Sequence, residues 1–533
     1  MKRYQLILLS LLTGFLLSLP WLDLFSGWIL LGAFVPLLFV ESSAFKRSDQ
    51  IPDIEFFSYA FLAFFTWNLL TCWWIAYAAF FGMLCIVSLN SLLMALVWWL
   101  FHRMRRTFNA QLGHLALIAL WLAYEYLLLN WDMEWPWLNL GHGFANQVKL
   151  VQWYEYTGVF GGSLWVLSTN LVLFLVLKSG FRKLWAKAGF YSVIFCLFVV
   201  IPIIWSLNIY KNYSAEGETC EVVVLQPNID PYFEKFQSDS QLEQLNVLLQ
   251  LTDSLLTDST DFLIGPETAL PSLVEDDQLL KDNVLVKFKN RIITHPELNI
   301  VLGANTRKYF QPEEQLSRTV RKDENKQLFY DVYNSALLIN HTSNIQVYHK
   351  SKLVSGVEKM PFSQCFSFIE KYIVDLGGAT GSLGKQEEST VFTANSGVKV
   401  APVICFESAF GQHIGEFVKK GAQFIFIITN DGWWKDSPGG AQHLSFARLR
   451  AIEARRSIAR SANTGISALI DQKGDIVRTT ALETETGLRG ILQPNDQITF
   501  YVCYGDYIGR ISAFVAELLL LYFFVQLKTK KGL

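Results

Sequence analysis

Eight apolar runs of membrane-spanning length constrain the fold of this chain more than any other feature of its sequence. They lie near residues 4–19, 24–40, 56–80, 83–101, 112–129, 159–177, 190–209 and 508–527. A helix of roughly 17–25 apolar residues crosses the hydrocarbon core of a bilayer. The runs therefore predict a polytopic α-helical membrane bundle of eight spans, seven before a long polar segment and one after it.

The composition agrees with a membrane protein. Hydrophobic residues make up 51% of the chain and charged residues only 17%, which is typical of integral membrane proteins. The net charge of −2 lacks the positive excess that binds a polyanion, which argues against nucleic acid as a partner. The first run follows Lys2 and Arg3 as a signal peptide would, but it lacks a small-residue cleavage site, so we expect it to be retained.

Basic residues cluster in alternate connections between the runs. The clusters are Lys2 and Arg3; Lys46 and Arg47; Arg103, Arg105 and Arg106; Lys178, Arg182, Lys183 and Lys187; and Lys528, Lys530 and Lys531. The positive-inside rule places all of these ends in the cytoplasm. The sequence therefore predicts cytoplasmic termini and an extracytoplasmic segment at residues 210–507.

The polar segment alternates β-rich runs with amphipathic stretches. Strands are predicted at residues 221–226, 261–265, 300–303, 335–340, 345–348, 398–404, 424–429 and 466–470, and helices after residue 240, at 281–293 and at about 441–462. Five arginines of the last helix are expected on a solvated or salt-bridged face. This alternation predicts one α/β domain with its site at the strand ends. The chain is thus divided into a bundle at 1–212, an α/β domain at 218–500 and a last span with its tail at 506–533.

Three of the predicted strands are followed by reactive side chains, Glu267, Lys350 and Cys405. A carboxylate, an amine and a thiol are the parts of a base-activated cysteine nucleophile with a cationic partner for an oxyanion. Each residue also has an ordinary interpretation: Cys405 as a small buried hydrophobe, and Glu267 as a helix cap or surface carboxylate. Lys352 lies two residues after Lys350, and spacing alone does not separate the two lysines.

The order of these three residues resembles the Glu-Lys-Cys triad of the nitrilase superfamily, and the chain as a whole resembles the bacterial apolipoprotein N-acyltransferases. The further motifs that carry this resemblance are Trp135-Pro136-Trp137-Leu138 with Gly141, Gln226 with Asn228 and Ile229, Tyr333-Asn334-Ser335, Lys350 with Glu358, Asn430-Asp431-Gly432-Trp433-Trp434, Gln442-His443, Ala447-Arg448 and Asn463-Thr464-Gly465. The resemblance implies a four-layer α-β-β-α nitrilase-like domain on the periplasmic side of the bacterial inner membrane.

The resemblance also implies an activity. A fatty acyl group passes from a phospholipid to the α-amine of the diacylglyceryl-modified N-terminal cysteine of an apolipoprotein, through an acyl-thioester on Cys405. Glu267 is then the base, and Lys350 with the backbone N–H of Phe406 supplies the oxyanion donors. The ammonium of Lys350 is also expected to lower the pKa of the thiol. This chemistry requires no metal and no other cofactor.

Other residues are assigned supporting roles on the same resemblance. Glu358 orients the lysine or the base, or forms a plain salt bridge. Asn334 is a candidate hydrogen-bonding support, and Glu407 follows the nucleophile by two residues. Trp433 and Trp434 either form a lid over acyl chains or are buried core residues.

Two other function classes compete with acyl transfer. A membrane-tethered carbon-nitrogen hydrolase of the amidase or nitrilase type would use the same triad, with water resolving the thioester; a tether, however, needs only one span. A transporter or scaffold would require intramembrane charges lining a path, and the spans contain few, with Glu125 the main exception. Among the cysteines, one pair of Cys220, Cys365 and Cys503 could be oxidised in an extracytoplasmic domain.

Overall fold

A computed structural model describes residues 1–47, 52–108, 110–235, 240–275, 279–311, 314–342, 344–362 and 382–531. The chain folds as two units. One unit comprises Met1–Tyr213 and Tyr504–Leu533, and the other comprises Ser214–Cys503. The apolar helices belong to the first unit and the polar segment to the second.

All eight apolar runs form helices in the first unit. Its helices are Arg3–Ser18, Leu30–Ala33, Val35–Lys46, Asp53–Cys72, Ile75–Ala78, Phe80–Thr107, Ala110–Asn130, Tyr154–Phe181, Trp185–Asn212 and Tyr507–Lys531. Seven helical stretches of the described residues are long and apolar enough to cross a membrane, and Arg3–Ser18 is apolar but shorter. At 16 residues this helix is about 24 Å long, against a hydrocarbon core of about 30 Å. It ends just before Pro20, which has no N–H to continue a helical ladder.

The helix Trp185–Asn212 shows how this unit presents apolar surface. Along its length Phe190, Val193, Ile201 and Ile204 are all exposed. An apolar surface that continues along a whole helix marks contact with a membrane or a partner. Together with the length of the helices, it indicates a surface that faces lipid.

Aromatic rings fill the interior of the same unit. The ring of Phe34 lies 6.4 Å from that of Phe64, 5.4 Å from that of Trp98 and 5.3 Å from that of Trp121. All four side chains are buried. Because lipid is as apolar as these rings, close packing rather than exclusion from water holds such helices together.

The described residues of the second unit form fourteen strands. These are β1 Cys220–Gln226, β2 Thr260–Ile264, β3 Leu270–Val274, β4 Asn299–Tyr309, β5 Arg321–Asp323, β6 Leu328–Ile339, β7 Gln346–His349, β8 Phe392–Thr393, β9 Lys399–Ile404, β10 Phe424–Thr429, β11 Ser457–Ala462, β12 Ala468–Ile470, β13 Ile476–Thr479 and β14 Thr486–Leu492. One sheet has the order β14-β1-β2-β4-β6-β5, with β3 also on β4 and β7 on β6; the other has the order β13-β12-β11-β10-β9-β8. Parallel strands occupy both centres: β1, β2 and β4 in one sheet, and β9, β10 and β11 in the other.

Side-chain alternation on β1 shows how the layers stack. Val222 and Val224 belong to a buried cluster with residues of β9 and β10. Val223 and Leu225 point the other way, into a cluster with the helices Gln241–Leu255 and Asn283–Thr294. The helices Gly411–Lys419 and Pro438–Ala454 add residues such as Phe417 and Ala447 to the first cluster. The predicted α-β-β-α arrangement is therefore confirmed.

The eight predicted strands are present; β10 has the predicted ends, the other seven have at least one end shifted, and six strands escaped prediction. The strands without a sequence signal are β3, β5, β8, β11, β13 and β14. Most of them are short or half-exposed; β13, for example, is exposed along its whole length. Such edge strands need no alternation of apolar and polar residues, so they leave no periodic pattern.

The predicted helix at about 441–462 is wrong in its second half. The helix ends at Ala454, because Arg455 adopts a left-handed conformation with φ of +48°. Residues Ser457–Ala462 then form β11 between β10 and β12. This strand is buried on both faces, and its alanine and arginine residues favour a helix, which explains the error.

Four of the five arginines of this region are buried and Arg448 is half-buried, so the prediction of a solvated face is wrong, and the salt-bridged alternative holds for two of them. Arg450, Arg455, Arg456 and Arg460 are all fully buried. They donate to backbone carbonyls: Arg450 to Ala409, Arg455 to Gln472, Arg456 to Ala422 and Gln497, and Arg460 to Ile466. Ion pairs do form in two cases, Arg450 with Glu453 and Arg460 with Asp431.

The packing of the two sheets on each other predicts a large effect at Phe262. This residue of β2 is 1% exposed, and its ring lies 5.0 Å from that of Phe426 and 6.2 Å from that of Phe424 in the other sheet. We expect Phe262→Ala to lower the free energy of unfolding by about 3–5 kcal/mol, through lost burial and the cavity left behind. Thermal unfolding of the detergent-purified chain measures this. Ile491→Ala, at an exposed position of β14, is the control, and equal effects of the two changes would contradict the packing described.

Candidate active site

The residue after β9 has a strained backbone. Cys405 begins a one-turn 3₁₀ helix, Cys405–Ala409, directly after Ile404. Its φ is +50°, a left-handed conformation that costs a residue with a side chain about 1–3 kcal/mol. The side chain is 8% exposed. The fold thus turns the chain sharply at the residue that the sequence predicts as the nucleophile.

The backbone at Glu267 is held by β4. Glu267 lies three residues after β2, and the N–H of Gly303 on β4 donates to the carbonyl of Pro266 at 3.1 Å. A Cβ at Gly303 would lie 2.6 Å from this carbonyl oxygen and 2.7 Å from the Glu267 Cα. Only glycine leaves room for so close an approach.

Lys350 joins two carboxylates. The chain leaves β7 at His349, and the N–H of Lys350 donates to the carbonyl of Asn334 on β6 at 2.8 Å. The Nζ of Lys350 donates to Glu267 Oε1 at 3.0 Å and to Glu358 Oε1 at 2.8 Å. Asn334 Nδ2 donates to the same two oxygens at 2.7 and 3.0 Å. The structure therefore brings four of the predicted site residues into one hydrogen-bonded group.

The charges of this group act on one another and on Cys405. Burial would raise the pKa of Glu267, but the Lys350 charge and the hydrogen bonds from Asn334 and Lys350 hold it below its ordinary value. Burial would lower the pKa of Lys350, but Glu267 and Glu358 raise it well above its usual range. Burial and the Glu267 charge raise the pKa of the Cys405 thiol, and Lys350 offsets only part of this effect. Lys350 therefore lowers the thiol pKa as expected, but burial and Glu267 outweigh it, so at neutral pH the site holds a protonated thiol beside an ionised carboxylate.

Glu407 ties the segment after β7 to the turn after β9. Its Oε1 accepts the hydroxyl of Tyr348 and the N–H of Ser351, each at 2.7 Å. Its Oε2 accepts the N–H of Ile404 at 2.8 Å. His413 Nε2 lies 3.4 Å from Oε1. Glu407 is fully buried and acts as a brace between the two segments that carry Lys350 and Cys405.

A second brace reaches Cys405 from the helix Pro438–Ala454. His443 Nε2 lies 3.1 Å from the carbonyl oxygen of Cys405 and 2.8 Å from Ser408 Oγ, while Nδ1 lies 3.0 Å from Asp431 Oδ1. Burial would raise the pKa of Asp431, but the charges of Arg460 and His443 hold it well below its usual range. The sequence motifs contain Asp431 and His443, but they do not indicate that both act on the backbone of Cys405.

Hydrogen bonds of Asn463 bring together the predicted motifs that contain Asn228, Asn430 and Asn463. Asn463 Nδ2 donates to the carbonyl of Ile229 at 2.7 Å and to Asn430 Oδ1 at 3.1 Å. The N–H of Asn228 donates to the carbonyl of Asn463 at 2.9 Å. These residues join the segments after β1, β10 and β11.

The remaining predicted residues lie around this centre. Phe406 is the second residue of the 3₁₀ turn, where the first N–H groups of a helix have no partner within it. Trp433 and Trp434 are half-buried, so the interpretation as fully buried core residues is wrong. The ring of Trp433 lies 5.3 Å from that of Tyr232, and the ring of Trp434 lies 5.6 Å from that of His443.

The structure separates the two lysines that spacing could not. Lys350 is 1% exposed and contacts Glu267, whereas Lys352 Nζ lies over the ring of Phe410, 5.2 Å from its centre. Two of the remaining cysteines, Cys220 and Cys503, are free thiols, and Cys365 lies outside the described residues.

A second lysine in this site escaped the sequence analysis. Lys235 is buried, and its Nζ donates to the backbone carbonyl of Glu267 at 2.9 Å. Burial lowers its pKa to about 8, although the charge of Glu267, and that of Cys405 when the thiol ionises, act in the opposite direction. The residue lies in an irregular stretch after β1, where no periodicity marks a side chain as buried.

The brace at Glu407 gives the site a pH-dependent stability. Burial would lower the pKa of His413, but hydrogen bonds to Glu407 and Glu416 and the charges of these carboxylates raise it from 6.5 to about 9. Protonated His413 therefore contributes its full stabilisation, about 3 kcal/mol, below pH 6.5, and this contribution is lost as the pH rises through about 9. We expect the difference in Tm between the wild type and His413→Gln to be largest near pH 6 and to shrink toward pH 10. Parallel thermal unfolding of both proteins measures it, and a difference that is constant with pH would contradict the assignment.

Comparison with known proteins agrees with the two-unit architecture. Residues 13–172 match the family model described as the apolipoprotein N-acyltransferase N-terminal domain, and residues 211–496 match the carbon-nitrogen hydrolase model. The apolipoprotein N-acyltransferase of Chlorobaculum tepidum is 29% identical over 505 residues, covering 93% of this chain and 91% of that protein. The protein of the same name from Thermotoga maritima is 24% identical over 529 residues, covering 95% and 92% of the two chains. The chain therefore belongs to the carbon-nitrogen hydrolase, or nitrilase, superfamily, and within it to the apolipoprotein N-acyltransferases.

Proposed function

We propose that this chain transfers a fatty acyl group from a phospholipid to the α-amine of the N-terminal diacylglyceryl-cysteine of apolipoproteins, through an acyl-thioester on Cys405. The observation that carries the proposal is the contact of Lys350 Nζ with Glu267 Oε1 at 3.0 Å. The charges of both residues act on the Cys405 thiol. The apolar helices of the same chain keep this chemistry at a membrane, where both lipid substrates reside.

Glu267 has a free oxygen for the first proton transfer. Lys350 and Asn334 both donate to Oε1, and no hydrogen bond within the described residues goes to Oε2. The ionised carboxylate can therefore take the proton of Cys405 through Oε2 as the sulfur attacks the ester carbonyl carbon. Because the resting thiol is protonated, this transfer accompanies the attack and does not precede it.

The oxyanion formed in that attack requires positive partners. The Lys350 ammonium and the N–H of Phe406 are the proposed donors. Collapse of the tetrahedral intermediate breaks the ester C–O bond, and the proton held by Glu267 passes to the leaving alkoxide. The products are a lysophospholipid and the acyl-Cys405 thioester.

The second half of the reaction reverses these proton movements. The α-amine of the acceptor attacks the thioester carbonyl, and Glu267 accepts one of its protons. The C–S bond then breaks, and the proton returns to the sulfur. An amide has formed, and Cys405 and Glu267 are back in their resting states.

The supporting residues act on the geometry of these steps. Glu358 and Asn334 hold the side chains of Lys350 and Glu267 in position. Glu407 holds the segment that carries Lys350 against the turn that carries Cys405. Trp433 and Trp434, half-buried beside Tyr232 and His443, are proposed to border the path of the acyl chain.

The location follows from the same proposal. The chain is a multi-pass protein of the bacterial inner membrane, with both termini in the cytoplasm and the catalytic unit on the periplasmic side. Basic clusters at alternate ends of the apolar runs support this orientation.

The acyl-enzyme is the first test of the function. Incubation with phospholipid alone should give an adduct of one acyl chain, detected by intact mass, and Cys405→Ala should lose it. Adding a diacylated lipopeptide should then discharge the adduct onto the amine of the peptide. Rapid discharge by water in the absence of peptide would instead favour a carbon-nitrogen hydrolase, the alternative suggested by the family of the catalytic unit.

The two neighbouring lysines provide a matched pair for the second test. Lys350→Ala removes an oxyanion donor and leaves two buried carboxylates unpaired, so we expect acyl-enzyme formation to slow by at least 10²–10³-fold, about 3–4 kcal/mol. Lys352→Ala removes a cation that lies over the ring of Phe410 and should change the rate by less than about threefold. Single-turnover acylation measures both, and similar losses in the two variants would contradict the assigned roles.

A further inference from the structure

The chain buries Lys235 against its ordinary preference. In the turn after β1, the carbonyl of Asp230 accepts the N–H groups of Glu234 and Lys235 at 3.2 and 3.0 Å. The turn leaves Phe233 72% exposed, while Lys235 is only 7% exposed. Burying an ammonium is costly unless it is paired, so the buried position of Lys235 requires a specific partner.

The partners of Lys235 all belong to the candidate active site. Within the described residues, its Nζ donates one hydrogen bond, to the carbonyl of Glu267. The titratable groups that act on it are Glu267, which follows β2, and Cys405, which follows β9. The buried ammonium is therefore held by main chain and is free to balance side-chain charge.

A count of charges shows what this ammonium does. Glu267 and Glu358 supply two negative charges, and Lys350 supplies one positive charge. Asp431 forms separate pairs with Arg460 and His443, and these three residues are not counted in the group. Without Lys235 the group would carry a net charge of −1 before any charge develops on the sulfur, and with Lys235 it is neutral.

We propose that Lys235 is a positioning residue of the reaction, which holds the backbone of Glu267 and supplies the second positive charge needed when negative charge develops on Cys405. This inference rests on the proposed nucleophilic role of Cys405. It extends that role by assigning the site two ammonium groups with different tasks. Lys350 contacts the base directly. Lys235 donates to the main chain of Glu267, and its positive charge stabilises negative charge on Cys405.

A purely structural role makes different predictions. If Lys235 only anchors the turn, a neutral hydrogen-bond donor should replace it. Lys235→Gln keeps a donor without the charge, Lys235→Met removes both, and Lys235→Arg keeps both. Lys352→Gln is the matched control, since it removes a charge from the segment after β7 without touching Glu267.

Alkylation of Cys405 in the full-length, detergent-purified chain is the readout. The rate of iodoacetamide labelling is followed by mass spectrometry of the Cys405 peptide, between about pH 6.5 and 9.5. It reports the ease of forming the thiolate and needs no lipid. We expect Lys235→Gln and Lys235→Met to react about tenfold more slowly than the wild type below pH 8, and Lys235→Arg and Lys352→Gln to stay within about threefold.

The pH dependence separates charge from structure. Because Lys235 loses its proton near pH 8, the ratio of wild-type to Lys235→Gln rates should fall toward one as the pH rises above this value. A ratio that stays constant with pH, an unchanged rate in Lys235→Gln, or equal losses in Lys235→Gln and Lys235→Arg would each overturn the proposal. Thermal unfolding identifies a variant that fails to fold, and if Lys235→Met does so, the Gln and Arg pair decides.

The acyl-adduct measurement and the alkylation series together distinguish failure of the proposed function from failure of the role of Lys235. If the wild type forms no acyl adduct from phospholipid but the alkylation pattern holds, the proposed acyl transfer fails and the role of Lys235 stands. If the adduct forms but the alkylation pattern is absent, only the role of Lys235 fails.

Discussion

The buried contact of Lys350 with two carboxylates is the interaction on which the catalytic unit depends. Removing an ammonium and two carboxylates from water costs several kcal/mol for each ion, and this cost is offset only when the geometry is close and the remaining polar atoms are bonded. Asn334 satisfies the second requirement, because it donates to both carboxylates. The first requirement is met by strand ends: Glu267 follows β2 and Lys350 follows β7 of one sheet, and Cys405 follows β9 of the other.

The position of Cys405 turns this ion group into a reactive one. The thiol is buried beside the negative charge of Glu267, so its proton stays on the sulfur despite the nearby ammonium. A protonated thiol is a poor nucleophile toward adventitious electrophiles. The Glu267 carboxylate beside it is ionised, so in the proposed mechanism the sulfur becomes nucleophilic when a bound ester allows the proton and the charge to move together. The left-handed backbone of Cys405 is held for this task by Glu407 at Ile404 and by His443 at the Cys405 carbonyl.

The sequence predicted the parts of the molecule that leave a pattern. Apolar runs revealed the helices of the first unit, and short apolar runs revealed the central strands β1, β2, β9 and β10. The residues Glu267, Lys350 and Cys405 were proposed as site residues because each follows such a strand and because their order resembles a known triad. The segment Ser457–Ala462 was misassigned, since a strand buried on both faces carries no alternation and its alanine and arginine residues favour a helix.

The sequence analysis named Glu407 and His443, but the contacts by which they brace the site could not be found in this way, for a physical reason. Glu407, His443 and Lys235 act on backbone atoms, most of them distant in sequence, and a carbonyl or N–H group offers no side-chain signature. His413 was missed as well, because its raised pKa depends on Glu407 and Glu416 facing it from both sides. Only the folded chain shows which buried charge meets which peptide group.

Buried cations in this unit differ in the acceptors that they use. Arg455 and Arg456 donate to carbonyls of distant segments, and since a peptide carbonyl carries no net charge and does not titrate, such contacts hold the fold at any pH. Lys350 donates to carboxylates, so its contacts change with every proton that Glu267 takes up or releases. Lys235 combines both conditions: its hydrogen bond goes to a carbonyl, while its charge faces Glu267 and Cys405. An ammonium anchored on main chain stays in place while the carboxylate beside it exchanges protons, which is the property that a charge-balancing group of a proton-transfer site needs.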